Sequence, residues 1–254
     1  MIDLHCHILA GIDDGAQTMA ESIEMARAAV NEGIDTIIAT PHHKNGRYEN
    51  SKQDIIQKTD ELNKVLKAEN IPVTILPGQE PAIHGELLKG ITLGEVSTLN
   101  NTQYIFIELP AGHVPRYTDK LLYDLQMEGK IPVIVHPERN QEIIERPEIL
   151  YQLIKNGALS QVTASSVCGI FGKKIKTFSE QLIEANLTHF IASDAHNTNK
   201  RTYHMADAFN KIDTLYGVDM IYFFKENAEL LVRDQNVYKE VPQRVKKKKF
   251  LGIF

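Results

Sequence analysis

Val133-Ile134-Val135-His136-Pro137-Glu138-Arg139 is a brief β-branched run that ends abruptly in an imidazole, a carboxylate and a guanidinium. A run of this kind, stopped by a proline, reads as a buried strand whose end carries chemistry. The signature recurs along the chain. Strands are expected near Ile2–His5, Thr36–Thr40, Val73–Leu76, Tyr104–Leu109, Val133–His136, Leu159–Ala164 and Phe190–Ser193. Amphipathic helical segments are expected between them, near Met19–Asn31, Lys52–Glu69, Lys120–Glu128, Pro147–Lys155, Ile175–Ala185 and His204–Ile212. Gly33, Gly129 and Gly157 each follow a helical stretch, where a C-cap glycine belongs. Strands alternating with helices imply parallel pairing through crossover helices. Seven such strands favour a closed or nearly closed α/β barrel, with an open doubly wound sheet as the second choice.

The bulk properties agree. A chain of 254 residues suits one α/β barrel. Hydrophobic residues at 43% and charged residues at 24% are ordinary for a globular protein. A net charge of −5 argues against a nucleic-acid partner, so any phosphate must be held by local cations. The two cysteines are too few for a disulfide scaffold. Neither a signal peptide nor a run of roughly 18 apolar residues is evident, and a cytoplasmic location is expected. No linker interrupts residues 1–244, which are expected to form one catalytic domain. The remainder, 245–254, joins four lysines to an apolar end and reads as a solvated tail, with weak contact to anionic lipid as the sharper alternative.

Residues of metal-ligand type recur at the expected carboxyl ends of the strands: His5 and His7, His42 and His43, Glu80, Glu108, His136 with Glu138 and Arg139, and Asp194 with His196. In parallel α/β barrels these ends meet at one face. In an extended His5-Cys6-His7 the two imidazoles share a side and Cys6 points to the wall. Asp194-x-His196 repeats that geometry. A single such pair occurs by chance; six marked strand ends out of seven do not. A carboxylate such as Glu108 inside an apolar strand is costly unless paired or metal-bound. Mixed imidazole and carboxylate donors suit Mn²⁺, Fe²⁺ or Zn²⁺. His84, His113, His189 and His204 stand outside the pattern.

With these residues in place the chain resembles the polymerase-and-histidinol-phosphatase (PHP) superfamily. The resemblance is carried by His5-x-His7, His42, Glu80, His136 and Ser193-Asp194-x-His196, in order and over nearly the whole chain. Ile2-Asp3-Leu4-His5-Cys6-His7 with Asp13-Asp14-Gly15, His136-Pro137-Glu138-Arg139 and Ser193-Asp194-Ala195-His196-Asn197 is similar, more closely, to bacterial PHP-type protein tyrosine phosphatases of capsule and exopolysaccharide systems, the CpsB/YwqE type. The resemblance implies a single distorted seven-stranded, TIM-like (β/α)7 barrel and three divalent metals, Mn²⁺ first and Fe²⁺ or Zn²⁺ as alternatives. It implies one metal on His5, His7, Glu80 and Asp194, and a second on Glu80, Glu108 and His136. The third would sit on Asp14, His42 and His196, with Asp13 able to replace Asp14. Arg139 and Arg201 would contact the phosphate. The implied substrate is the tyrosine-phosphorylated tail of a bacterial kinase that regulates polysaccharide synthesis. No role is carried over to the His43–Tyr48 segment.

The residues also exclude a chemistry. A cysteine phosphatase needs an arginine about six residues after its thiolate, whereas Lys174 follows Cys168 and Ile12 follows Cys6 at that distance. The alternatives are a PHP-type enzyme for a small ester such as histidinol phosphate, and a metal-binding regulator without catalysis.

Overall fold

The computed structural model describes residues 1–246. The expected tail therefore lies outside the described residues, apart from Val245 and Lys246. Among the described residues nine short strands are present: β1 (Ile2–Cys6), β2 (Thr36–Ala39), β3 (His42–His43), β4 (Thr74–Pro77), β5 (Glu80–Pro81), β6 (Tyr104–Ile107), β7 (Ile131–Val135), β8 (Leu159–Thr163) and β9 (Phe190–Ala192). Ten α-helices accompany them among the described residues: α1 (Met19–Asn31), α2 (Lys52–Ala68), α3 (Leu87–Leu93), α4 (Thr118–Met127), α5 (Gln141–Glu145), α6 (Glu148–Lys155), α7 (Ala164–Cys168), α8 (Lys173–Glu184), α9 (Met205–Tyr216) and α10 (Val218–Val232). All strand pairing is parallel, in sheets ordered β1-β2-β4, β3-β5 and β6-β7-β8-β9. Single parallel bridges link Ala82 to Glu108 and Cys6 to Ala195.

The expected alternation of parallel strands and helices is thus found. The breaks between β2 and β3, and between β4 and β5, have local causes. Pro41 has no N–H to give the ladder, and its carbonyl instead accepts the Glu80 N–H at 3.0 Å. Gly78 lies so close to Ile38 that an added Cβ would sit 2.5 Å from a methyl.

The strands are buried on both faces, as parallel strands are. Leu4, Ile38, Tyr104, Phe106, Val133, Val135, Phe190 and Ala192 pack together on one side. The intervening Ile37, Ile105, Ile107, Ile134 and Ile191 pack on the other side against helix residues such as Met25, Leu62, Leu125 and Leu182. The first cluster is closed by Ala228 and Leu231 of α10 and by Val237. Helix α10 is not among the expected helices. Its sequence, Val218-Asp-Met-Ile-Tyr-Phe-Phe, offers apolar residues on several faces, so no single stripe marks it.

After α10 the chain runs back across the amino ends of the strands. The Tyr104 hydroxyl donates to the Gln235 carbonyl at 2.6 Å, the Gln243 N–H donates to Ala185 at 2.8 Å, and Arg244 pairs with Glu148 at 2.9 Å. The carboxyl ends remain free for the site.

Candidate metal centre

Each strand end delivers its polar residue by a backbone device. The His7 N–H donates to the Ala195 carbonyl and the Asp194 N–H to the His5 carbonyl, both at 2.8 Å, so the first and last strand ends are laced together. Asp194 and His136 turn out of their strands in the left-handed region, at φ +54° and +35°. Such backbone is strained for a side chain other than glycine and persists where the surroundings impose it. Here the buried Asp3 carboxylate accepts from the Ser193 N–H at 2.8 Å and the Ser193 hydroxyl at 2.5 Å, fixing the turn before Asp194. Burial pushes Asp3 up to about 6 even with those bonds.

His5, His7, Glu80 and Asp194 converge. The Nε2 atoms of His5 and His7 are 3.3 Å apart. Each lies 3.3–3.4 Å from an oxygen of Glu80 and from Oδ1 of Asp194. His5 faces Oε1 of Glu80 and His7 faces its Oε2, so the donor atoms of His5, His7 and Glu80 lie close enough to share one ion, with Oδ1 of Asp194 beside both imidazoles. Two further groups share members with the first: His7, Asp14, His42 and His196, and His42, Glu80 and Glu108. In the former, Oδ1 of Asp14 is 3.3 Å from Nε2 of His42 and 3.4 Å from Nε2 of His196.

The ring orientations suit metal ligation. Nδ1 of His7 faces Asp13 at 2.6 Å, Nδ1 of His5 faces the Gln161 side-chain oxygen at 3.0 Å, and Nδ1 of His196 faces the Asp194 carbonyl at 2.9 Å. An acceptor on Nδ1 leaves Nε2 as the lone-pair atom, the arrangement typical of metal-bound histidine. Several polar atoms here are buried without a hydrogen bond: Nε2 of His196, and Nδ1 of His42 with Oε2 of Glu80, which face each other at 2.9 Å without hydrogen-bond geometry. Orphaned buried groups of this kind are rare unless an ion completes them.

The electrostatics point the same way. Burial opposes charge on Glu80 and Asp194. The facing His5 imidazole outweighs it for both, with His42 at Glu80 and Arg139 at Asp194, and both carboxyls are held well below the usual range. Burial likewise opposes charge on His5 and His7, yet the neighbouring carboxylates raise both. His196, desolvated and next to His7, drops to about 4.

All nine residues expected from the sequence as ligands meet in this cluster, but their grouping differs in detail from the expected one. Oε1 of Glu80 is 2.9 Å from Nε2 of His136, while its Oε2 is 2.9 Å from Nδ1 of His42. His42 therefore joins Glu80 and Glu108, and His136 touches Glu80 from the other side. His7 adds itself to the group of Asp14, His42 and His196. Between the adjacent aspartates, Asp14 faces the imidazoles, and Asp13 supports His7 while accepting the N–H groups of Gly15 and His42 at 2.9 and 3.2 Å. Gly15 is required by this turn, since a Cβ there would lie 1.9 Å from the His7 carbonyl oxygen.

The expected arginines flank the cluster. Arg139 donates to Asp194 through Nη1. Arg201 donates to the same oxygen at 3.1 Å and to Asp14 at 3.4 Å. Arg139 makes no pair with its neighbours in sequence. Glu138 is buried, accepting from the Thr163 N–H and the Ser166 hydroxyl at 3.0 and 2.7 Å, and Glu142 pairs with Arg146 at 3.0 Å. The thiols are unsuited to nucleophilic work: burial pushes Cys6 well above the usual range, and raises Cys168 as well.

Sequence reasoning missed the supporting residues Gln161 and Asn50, and quoted Asp3 and Ser193 within motifs without giving them a role. Asn50 donates to the His42 carbonyl at 2.8 Å. Gln161 lies in Leu159-Ser-Gln-Val-Thr163, where Ser160 and Thr163 are polar as well, so the sequence marks no single residue of that strand.

Comparison with known proteins supplies the family. The chain is 53% identical to the tyrosine-protein phosphatase YwqE of Bacillus subtilis (strain 168), over 100% of both chains. It is 30% identical to the tyrosine-protein phosphatase CpsB of Streptococcus agalactiae serotype III (strain NEM316), over 93% of this chain and 100% of that one. Among solved structures it superposes with a TM-score of 0.95, at 53% identity and covering 97% of this chain and 100% of the other, on a chain from the structures of YwqE from Bacillus subtilis and CpsB from Streptococcus pneumoniae, described as unique metal-dependent tyrosine phosphatases. Residues 1–233 match the model of the family CpsB/CapC, capsular polysaccharide synthesis. With that match and those relatives, the chain belongs to the CpsB/CapC family.

Proposed function

We propose that this chain is a metal-dependent protein tyrosine phosphatase acting on a tyrosine-phosphorylated bacterial kinase of capsule or exopolysaccharide synthesis. The observation that carries the reading is the convergence of Nε2-presenting histidines and buried carboxylates beside two guanidinium groups. The relatives named as tyrosine-protein phosphatases support it over hydrolysis of a small ester.

His5, His7, Asp14, His42, Glu80, Glu108, His136, Asp194 and His196 are the residues that would hold three divalent ions, with Mn²⁺ the first choice and Fe²⁺ or Zn²⁺ behind it. When bound, such ions supply Lewis-acid charge and a water-derived nucleophile near neutral pH. Glu80, with its two oxygens facing different imidazoles, would be the carboxylate shared between ions. Arg139 and Arg201 bind phosphoryl oxygens, where a guanidinium offers two parallel donors. In that role they exchange part of their contact with Asp194 for contact with the substrate. Catalysis is then positioning and charge stabilisation. A phenolate of pKa about 10 leaves more readily than an alkoxide, so no strong general acid is required of the chain.

The two bridges at Ala82–Glu108 and Cys6–Ala195, with β2 continuing into β3 and β4 into β5, support a single distorted seven-stranded barrel as the catalytic domain, residues 1–244. No helix among the described residues is long and apolar enough to cross a membrane. The working location is the cytoplasm, with a solvated C-terminal tail as the first reading and weak peripheral contact through its lysines as the alternative. Co-sedimentation with anionic vesicles, comparing the full chain with one ending before Val245, tests that contact.

The deciding experiment is phosphate release by metal-stripped protein refilled with Mn²⁺, offered a phosphotyrosine peptide, a phosphoserine peptide and histidinol phosphate, with His136→Ala as control. Release from phosphotyrosine alone, dependent on metal and lost in the variant, is the expected result. Preference for histidinol phosphate overturns the substrate, and no release from any of them overturns the enzyme.

A further inference from the structure

Arg139 is stacked as well as ion-paired. Its guanidinium carbon lies 5.4 Å from the ring centroid of Phe171. Phe171 is half-buried in the turn between α7 and α8, Gly169-Ile170-Phe171-Gly172, whose glycines have φ of +82° and +94°. The turn is pinned by the Ile170 N–H donating to Ser165 and the Gly172 N–H donating to Gly169, at 3.0 and 3.1 Å. Helix α7 is itself fastened to the segment that carries Arg139. The Glu138 carboxylate accepts from the Thr163 N–H, the Thr163 hydroxyl and the Ser166 hydroxyl within 3.0 Å. The dipeptide Glu138-Arg139 thus holds the start of α7 with one side chain and lies against the aromatic ring of the following turn with the other. Ile170 beside it is 52% exposed, extending the apolar surface outward.

The geometry points to Phe171 as the specificity-determining wall for the aromatic ring of the substrate. This rests on the reading that the site hydrolyses phosphotyrosine and that Arg139 binds its phosphate. Because Phe171 lies against Arg139, a phosphate held by that guanidinium brings the attached phenyl ring within reach of Phe171, and aromatic rings attract at centroid separations of about 4.5–7 Å. A phosphoserine, with one methylene between phosphate and backbone, has no ring to offer Phe171. The wall therefore separates aryl from alkyl phosphates at a place remote from the cluster itself. A second aromatic residue flanks the site on another side: Tyr48 stacks on His42 with centroids 6.2 Å apart. It lies over an imidazole of the cluster, whereas Phe171 lies against Arg139, so Phe171 is the wall assigned here.

The test uses the Mn²⁺-loaded full chain as wild type, Phe171→Ala, Phe171→Leu, Phe171→Tyr and Tyr48→Ala. Each is measured for kcat/KM on a phosphotyrosine peptide and for competitive inhibition by inorganic phosphate, which reads the arginines without the ring. Phe171→Ala is expected to lose about tenfold in kcat/KM, mostly in KM, with the inhibition constant of phosphate changed less than about twofold. Phe171→Leu falls between, and Phe171→Tyr restores activity. Equal losses on peptide and on phosphate inhibition would reduce Phe171 to a support for Arg139 and overturn the proposal. So would a loss confined to Tyr48→Ala. A wild type inactive on phosphotyrosine yet inhibitable by phosphate on another ester overturns the substrate reading beneath it, a result separable from the behaviour of the variants.

Discussion

The Asp13 carboxylate stands 2.6 Å from Nδ1 of His7, on the side of the ring away from the cluster. It fixes which nitrogen of a central imidazole carries the proton. Replacing it with Asn puts an amide that can also donate where only acceptance is needed. We expect Asp13→Asn to fold and to weaken Mn²⁺ binding or activity 10- to 100-fold, roughly the effect of losing an outer partner of a metal histidine. Metal titration followed by phosphate release checks this, and an unchanged affinity would separate Asp13 from the centre.

Metal binding is expected to release protons. Burial disfavours charge on His5 and His7, but the carboxylates around them raise both above the ordinary imidazole value, so they hold protons that an incoming cation must displace. Affinity for Mn²⁺ therefore falls as pH falls. Calorimetry in buffers of different ionisation heat reads the proton count directly; a heat independent of buffer contradicts the expectation.

His189 sets part of the acid sensitivity. It is buried beneath the strands, where desolvation first and Lys239 second lower it to about 3. Its Nδ1 faces the Ser160 N–H at 3.3 Å. The unfolded chain takes up a proton near pH 6.5 that the fold refuses. The stability due to a neutral ring is therefore complete above pH 6.5 and lost as pH falls toward 3, at up to about 1.4 kcal/mol per pH unit. Urea unfolding at pH 7 and pH 5.5 should show a smaller drop for His189→Gln than for the wild type. Equal drops would remove His189 from the account.

Gly15→Ala is expected to be severe. Its Cβ would meet the backbone of His7 at 1.9 Å, and neither partner is a flexible side-chain tip. We expect stability to fall by more than about 3 kcal/mol, with metal affinity falling further because Asp13 and Asp14 move. A thermal melt beside a metal titration distinguishes the two losses.

Much of this was legible in the sequence because strand ends are local. His5-x-His7 and Asp194-x-His196 declare themselves within three residues, and the parallel order brings them together. The breaks at Pro41 and Gly78 were harder, since the second depends on the nearness of Ile38, far off in sequence. The grouping around Glu80 was not legible either. Whether His42 or His136 meets a given oxygen depends on ring rotations that no spacing encodes. Between Asp13 and Asp14 the choice follows from the turn forced by Gly15, which only the folded backbone reveals. Helix α10 escaped because its apolar residues cover the floor of the strand layer and its aromatic ones spread around the remaining surface.

The strap over the amino ends of the strands gives the molecule a handle. Gln243 and Arg244 are fastened beside Ala185 and Glu148, so the chain reaches Lys246 on the face opposite the metal cluster. An affinity tag, dye or surface linkage grafted there leaves the catalytic mouth facing solution. The enzyme could be immobilised by that end and still meet a substrate as large as another protein.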